Sequence, residues 1–293
     1  MNQNRKLAKL LYKDNFMFGA VMTQEEICRL VLELAVEFPI ERVEVSKEKT
    51  IVYHPEYRGV RLDIIAKDEN KTRYNVEMQV IRKPGLSRRS RYYHGQMDME
   101  MLLSGEDYEH LSSAYVIFIC DFDPFGQKKY RYTFENRCKE TGLPLDDGSK
   151  TIFLSTCGEN NDEVPEELVK FLRYVKADYK ESCMDFQDEL VRKIQDTIEQ
   201  IKGSREMEEK YMLLEELLED ERAEAKIEGK TEGKAEGTIE AILFLLNDRG
   251  TIPKELECRI KGEHNMDILT KYLHLAARSG SITHFLEQME KES

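Results

Sequence analysis

The sequence feature that most constrains the fold is a pair of alternating runs, residues 60–66 and 74–80, separated by a short polar segment. Successive side chains of a β-strand point to opposite faces, so each run predicts a strand with one apolar face. If residues 68–72 form the loop, the runs pair as an antiparallel hairpin in which Lys67 faces Arg73. The predicted apolar face carries Val60, Leu62, Ile64, Ala66, Tyr74, Val76, Met78 and Val80.

The same register brings Asp63 directly opposite Glu77, with Cβ atoms roughly 5 Å apart. A slip by one residue would move the apolar set of one strand to the wrong face, so the register is well specified. Opposed like charges are destabilising unless a cation accompanies them. Carboxylates of this kind, with Gln79 as the next polar residue on the same face, are suited to holding Mg²⁺ or Mn²⁺. The alternative is two solvated carboxylates on an open face of the hairpin.

The N-terminal 180 residues predict an α/β domain with a central sheet flanked by helices. Residues 113–121 are almost wholly apolar and predict a buried central strand. Further helices are predicted over residues 23–38, 87–103 and 165–174, and further strands near 42–45, 51, 130–134 and 151–154.

Residues 181–237 predict an amphipathic helical and linker region, and residues 238–293 a small helical module. Two apolar stripes at helical spacing indicate a helical hairpin or a broken helix that packs on a partner, and we expect self-association. Residues 226–237 repeat Glu and Gly every four residues, which predicts either a solvated, weakly helical linker or a glycine ridge between helices. The stripes are Leu190, Ile194, Ile198 and Ile201, then Met207, Tyr211, Leu214 and Leu218.

The net charge of −13 is unevenly distributed. Residues 1–180 carry 28 Lys+Arg against 30 Asp+Glu, so the acidity lies mostly in the C-terminal part. A local basic cluster, residues 82–91, follows the second strand of the hairpin. The six cysteines are scattered without a CxxC pair, which indicates reduced thiols and a cytoplasmic protein, and no run is long and apolar enough for a membrane helix.

Asp63, a hairpin and then Glu77-x-Gln79 resembles the active-site signature of PD-(D/E)xK nucleases, with Gln79 in the usual lysine position and Leu62 in that of the leading proline. Blocks over residues 10–180 are similar to the PD-(D/E)xK nuclease family transposases, also called the recombination-promoting nuclease family. They are Asp14-Asn-Phe-Met-Phe-Gly19, Gly59-Val-Arg-Leu-Asp63, Asn75-Val-Glu-Met-Gln79, Arg88-Arg-Ser-Arg-Tyr-Tyr93, Gly105-Glu-Asp-Tyr108, Val116-Ile-Phe-Ile-Cys120 and Tyr132-Thr-Phe134.

The resemblance implies a restriction-endonuclease-like core and a Mg²⁺-dependent DNA endonuclease linked to bacterial recombination or mobile elements. It implies Asp63 and Glu77 as metal ligands and Gln79 as the third catalytic residue. An acidic residue of the first helix often completes such sites, and Glu26 is the expected ligand, with Asp14 behind it.

The residues leave several alternatives open. Arg88, Arg91 and Tyr92 are expected to contact DNA phosphates, although arginines there would also neutralise the acidic site or form a solvated face. A catalytically silent nuclease fold that binds DNA or protein is the competing function. RNA is not excluded as a substrate.

Overall fold

The computed structural model describes residues 7–51, 60–102, 105 and 107–291. The chain forms two compact units, Met1–Tyr211 and Met212–Ser293. The first unit is built on a six-stranded mixed sheet with the order β1-β2-β3-β4-β6-β5. Its strands are β1 Val43–Ile51, β2 Val60–Asp68, β3 Arg73–Gln79, β4 Ala114–Cys120, β5 Arg131–Phe134 and β6 Ser149–Ser155.

The pairings confirm the predicted α/β core with its central sheet, and they show that this sheet is mixed. Strands β1, β2 and β3 form an antiparallel meander, β3 runs parallel to β4 and β4 parallel to β6, and β5 pairs antiparallel with β6. Because β4 is the central, wholly apolar strand, it is buried along most of its length, as its composition predicted.

Helices cover both faces of this sheet. They are α1 Asn15–Met22, α2 Glu25–Val36, α3 Leu86–Met101, α4 Glu166–Lys176 and α5 Glu189–Gly203. The larger core contains residues from α1, α2, α4 and α5, and a smaller core on the other face lies under α3. The predicted helix over residues 23–38 is shorter in the structure, because Thr23 caps the end of α1, where its hydroxyl donates a hydrogen bond to the Ala20 carbonyl.

The hairpin has the predicted register. Lys67 pairs with Arg73 and Ile64 with Val76. Asp68 fixes the turn, because its Oδ1 accepts hydrogen bonds from the backbone N–H groups of residues 70 and 72, at 2.9 and 2.8 Å. Its other oxygen, Oδ2, accepts from the Tyr74 hydroxyl at 2.8 Å.

The first unit extends beyond the boundary expected at residue 180. The stripe Leu190, Ile194, Ile198 and Ile201 lies on α5 and is buried in the larger core. This stripe therefore packs against the protein's own α1, α2 and α4, and it is not a surface for self-association. The sequence shows that such a stripe needs a partner but does not specify which one.

The second unit has a core of its own, to which Ile242, Leu246, Ile260, Leu269 and Phe285 contribute. Its helices are the greater part of α6 Arg205–Asn247, then α7 Lys254–Lys261, α8 Met266–Arg278 and α9 Ile282–Lys291. The Glu-Gly repeat is helical within α6, and its glycines face open space, as a solvated segment would. Across the described residues, no helix is long and apolar enough to span a bilayer.

Candidate active site

Glu77 lies in the interior of the sheet rather than on an open face. On β3, Tyr74, Val76 and Met78 enter the larger core, and Asn75 and Glu77 face the opposite side, beneath α3. Glu77 as a whole residue is only 2% exposed. The alternative of a solvated carboxylate therefore does not describe Glu77.

Two donors converge on one oxygen of the Glu77 carboxylate. Arg89 donates from Nη2 to Oε2 at 2.8 Å, and Gln79 donates from Nε2 to the same oxygen at 3.2 Å. Hydrogen bonds and ion pairs of this kind hold a buried carboxylate in one orientation. Glu77 and Gln79 are thus brought together, as the sequence predicted, and Arg89 joins them.

The start of α3 determines the position of Arg89. Gly85 adopts a left-handed conformation with φ 80°, and the helix begins at Leu86. Arg89 is then in the first turn, where its guanidinium lies over the rings of Tyr93 and Phe118, 5.5 and 5.3 Å from their centroids. Stacking on two aromatic rings and pairing with Glu77 fix the guanidinium over β3 and β4.

Asp63 lies within β2, but its side chain is outside the described residues. The strand pairs reach Ile64 opposite Val76, which is the predicted register up to the neighbouring residue. The approach of the Asp63 carboxylate to Glu77 stays a prediction.

Glu26, the expected first-helix ligand, is not brought together with Glu77. It lies on α2, and its carboxylate pairs with Lys193 of α5 at 2.6 Å, with the side chain largely exposed. Both helices pack on the face of the sheet opposite to the one that Glu77 occupies. The hydrogen bond from Lys193, together with its charge, lowers the pKa of Glu26.

Asp14, the second candidate for the first-helix ligand, bonds to the backbone of its own turn. Its Oδ2 accepts a hydrogen bond from the backbone N–H of Leu11 at 2.7 Å, which closes the turn before α1. The adjacent Lys13 pairs instead with Asp121 at 2.7 Å, and the backbone N–H of Asp121 donates to the Gln79 carbonyl at 2.9 Å. The pair Lys13–Asp121 therefore lies beside the end of β3, where no sequence pattern had placed it.

Arg88, Arg91 and Tyr92 lie on the exposed surface of α3. Among the described residues, neither Arg88 nor Arg91 forms an ion pair, in contrast to Arg89. Adjacent residues of a helix differ by about 100° in direction, so one arginine of the run points inward and its neighbours point to solvent.

The face that carries Glu77 also holds polar groups that the sequence reading did not single out. Asn75 is fully buried, and neither atom of its amide has a hydrogen-bond partner among the described residues. Further along α3, Ser90 and His94 bond to the Thr151 hydroxyl of β6 at 2.7 and 3.0 Å. Ser90 and His94 are four residues apart, so the sequence could have predicted that they share one face of a helix. Their partner Thr151 is evident only from the structure, in which α3 connects β3 to β4 and lies against the sheet.

The donors present fit a hard divalent metal ion. The Glu77 carboxylate and the Gln79 amide offer oxygen, which Mg²⁺ and Mn²⁺ prefer, and the carboxylate already pairs with a cation. Among the described residues, no group of three or more His, Cys, Asp or Glu side chains converges, so Asp63 is needed for a second carboxylate.

A protein family matches this chain in sequence. A search of curated proteins and a search of solved structures each gave no significant match. A family model described as PD-(D/E)XK nuclease family transposase matches residues 15–228, which include the whole sheet and α3 and end just inside the Glu-Gly repeat of residues 226–237. The match covers well over half of the chain, and the chain therefore belongs to the PD-(D/E)XK nuclease family transposases.

Proposed function

We propose that this protein is a Mg²⁺-dependent DNA endonuclease, with Mn²⁺ as a substitute, that acts in recombination or on mobile elements. Family membership supports a nuclease or mobile-element role. The observation that carries the finer proposal is the buried Glu77 carboxylate, held by Gln79 and Arg89 at the position of the family's metal-binding residue.

Asp63 and Glu77 would hold the ion. When bound, it would lower the pKa of a water ligand and stabilise charge on the scissile phosphate. Gln79 would orient the attacking water, because an amide both donates and accepts hydrogen bonds. Burial under α3 excludes bulk water from Glu77, which strengthens each of these electrostatic interactions.

The DNA would be held by Arg88, Arg91 and Tyr92. Arg88 and Arg91 are exposed, are not neutralised by any described carboxylate, and lie on the same helix as Arg89. Contacts of this kind go to phosphates and are independent of base sequence. The proposed surface thus lies next to the proposed catalytic residues.

Cleavage of supercoiled plasmid tests this function. We expect nicked and linear products in Mg²⁺, loss of activity in Asp63→Ala and Glu77→Gln, and retained activity in Glu26→Gln, an acidic residue on the other face of the sheet. Equal activity of the wild type and Asp63→Ala would overturn the site assignment. An RNA oligonucleotide of the same length in parallel reactions separates an RNA substrate from a DNA substrate.

Calorimetric titration with Mn²⁺ distinguishes the enzyme from a silent scaffold. The proposal requires uptake that the wild type and Glu26→Gln share and that Glu77→Gln loses. No uptake and no cleavage by the wild type would favour a nuclease fold retained for binding DNA or protein.

Self-association is a further part of the proposal. Because the apolar stripe of α5 is buried in its own core, the surface proposed for self-association lies on α6. Met207 and Tyr211 pack on the core of the first unit, whereas Leu213 and Leu217, four residues apart, are 59% and 54% exposed. We expect sedimentation at micromolar concentration to give an oligomer that Leu213→Lys with Leu217→Lys dissociates. A wild-type monomer would refute it.

A further inference from the structure

Position 79 raises an electrostatic problem for the proposed reaction. Cleavage of a phosphodiester develops negative charge, which cationic groups or metal ions stabilise. Gln79 occupies the position of the signature in which a lysine is usual, and its amide carries no charge. If the protein cleaves DNA, the charge that a lysine would supply here has to come from the metal ion or from a cation elsewhere in the fold.

We propose that Arg89 is this catalytic cation, supplied from α3 in place of a lysine on β3. Arg89 and Gln79 donate to the same oxygen of Glu77, at 2.8 and 3.2 Å, so the guanidinium occupies the space that a cation at position 79 would reach. A phosphate oxygen bound beside Glu77 would come within reach of the same guanidinium. The inference rests on the proposed function, because it assigns a role within that reaction.

The surroundings of Arg89 suit this role. Its side chain is 31% exposed, so a substrate can reach the guanidinium, whereas the carboxylate beneath it is almost fully buried. The rings of Tyr93 and Phe118 fix the plane of the group before any substrate binds. A fixed charge costs no reorganisation when negative charge develops, which makes it effective in catalysis.

The guanidinium also retains donors for a substrate. Among the described residues, Arg89 donates from Nη2 to Glu77, and no acceptor is bonded to Nη1, which keeps its donors for a substrate. Arginine presents five N–H donors in a planar fork that matches phosphate oxygens. Arg88 and Arg91, which point to solvent, would bind the DNA backbone, and Arg89 would act at the bond that breaks.

The test compares plasmid cleavage by the wild type, Arg89→Met and the double variant Arg89→Met with Gln79→Lys. Methionine keeps an apolar stem against Tyr93 and Phe118 and removes the charge. We expect Arg89→Met to lower the cleavage rate at saturating Mg²⁺ about 100-fold, the effect of removing one stabilising group. Adding Gln79→Lys to Arg89→Met should raise the cleavage rate again by about 10-fold or more, because the lysine returns a cation beside Glu77.

Arg73→Met is the matched control. Arg73 likewise joins β3 to α3, because it lies on β3 and pairs with the Glu100 carboxylate of α3 at 3.1 Å, but it is four residues from Glu77. If Arg89 only joined the helix to the strand, the two variants would lose activity alike and Gln79→Lys would not rescue. We expect Arg73→Met to cleave within about threefold of the wild type when both are assayed below their melting transitions.

The dependence on Mg²⁺ concentration separates catalysis from neutralisation of Glu77. A residue that only neutralised Glu77 would, when removed, lower the half-saturating Mg²⁺ concentration and leave the maximal rate unchanged, and that result would overturn the inference. So would an Arg89→Met variant with the wild-type rate. An inactive wild type would instead overturn the proposed function itself, which distinguishes the two failures.

Discussion

The ion pair between Arg89 and Glu77 predicts an unequal loss of stability when one or the other partner is removed. Removing one partner of a buried pair costs about 3–5 kcal/mol, because the other charge is left without compensation. The Glu77 side chain is 3% exposed and the Arg89 side chain 31%, so a carboxylate that has lost Arg89 has little access to water, whereas a guanidinium that has lost Glu77 is partly hydrated. Arg89→Met should therefore be the more destabilising change.

The magnitudes follow from this burial. For Arg89→Met we expect about 3 kcal/mol, the lower end of the range, because Gln79 still donates to Glu77. For Glu77→Gln we expect about 1 kcal/mol, because the new amide oxygen can accept from Arg89 and the guanidinium is partly hydrated. In a unit of this size about 1 kcal/mol shifts Tm by roughly 2–4 °C, which gives losses of about 6–12 and 2–4 °C.

Urea unfolding in EDTA, followed by circular dichroism, measures these losses without interference from metal binding. Glu77→Leu with Arg89→Met removes both charges and should recover most of the stability, because a buried pair replaced by apolar residues is often neutral. If Arg89→Met loses less than Glu77→Gln, the Glu77 carboxylate is hydrated in solution and the argument from burial is refuted.

Two further predictions concern pH and salt. Burial lowers the pKa of His94, so its neutral form stabilises the fold; this contribution is present above the unfolded pKa of about 6.5 and is lost as pH falls through the lower folded value. Melting curves between pH 7.5 and 5 should show a drop that His94→Gln reduces, and equal drops would contradict the assignment. The double variant Arg88→Ala with Arg91→Ala should reduce the magnitude of the slope of log affinity for duplex DNA against log salt by about 1.8. The control Lys129→Ala should leave this slope unchanged, because Lys129 already pairs with Glu163.

The hairpin could be predicted from the sequence because its signal is local. Period-two alternation fixes which residues share a face, and the loop length fixes the register, so Lys67 opposite Arg73 followed from residue order. The buried strand β4 followed from its apolar run. The same alternation predicts that Glu77 and Gln79, two residues apart on one strand, lie on the same face.

The errors arise where long-range contacts decide the outcome. Glu26 has the residue type and approximate position expected of a metal ligand, but α2 packs on the other face of the sheet and Glu26 meets Lys193, 167 residues away. The stripe on α5 is likewise buried in its own core. An amphipathic pattern predicts that one face of a helix is buried but does not identify the surface that covers it. Residue spacing therefore could not predict that Glu26 pairs with Lys193 or that the α5 stripe packs in the core of its own chain.

The burial of Glu77 changes what the acidic pair requires. On an open hairpin, water and dissolved ions screen opposed carboxylates, and a metal ion would be helpful rather than necessary. Under α3 the effective dielectric constant is lower, so the same carboxylate needs a fixed cation, and Arg89 supplies one. A divalent ion at Glu77 would be repelled by this guanidinium, which would weaken metal binding while keeping a positive charge in the site. Loss of Arg89 should for this reason tighten Mg²⁺ binding and slow cleavage at once, a combination that a purely structural ion pair does not produce.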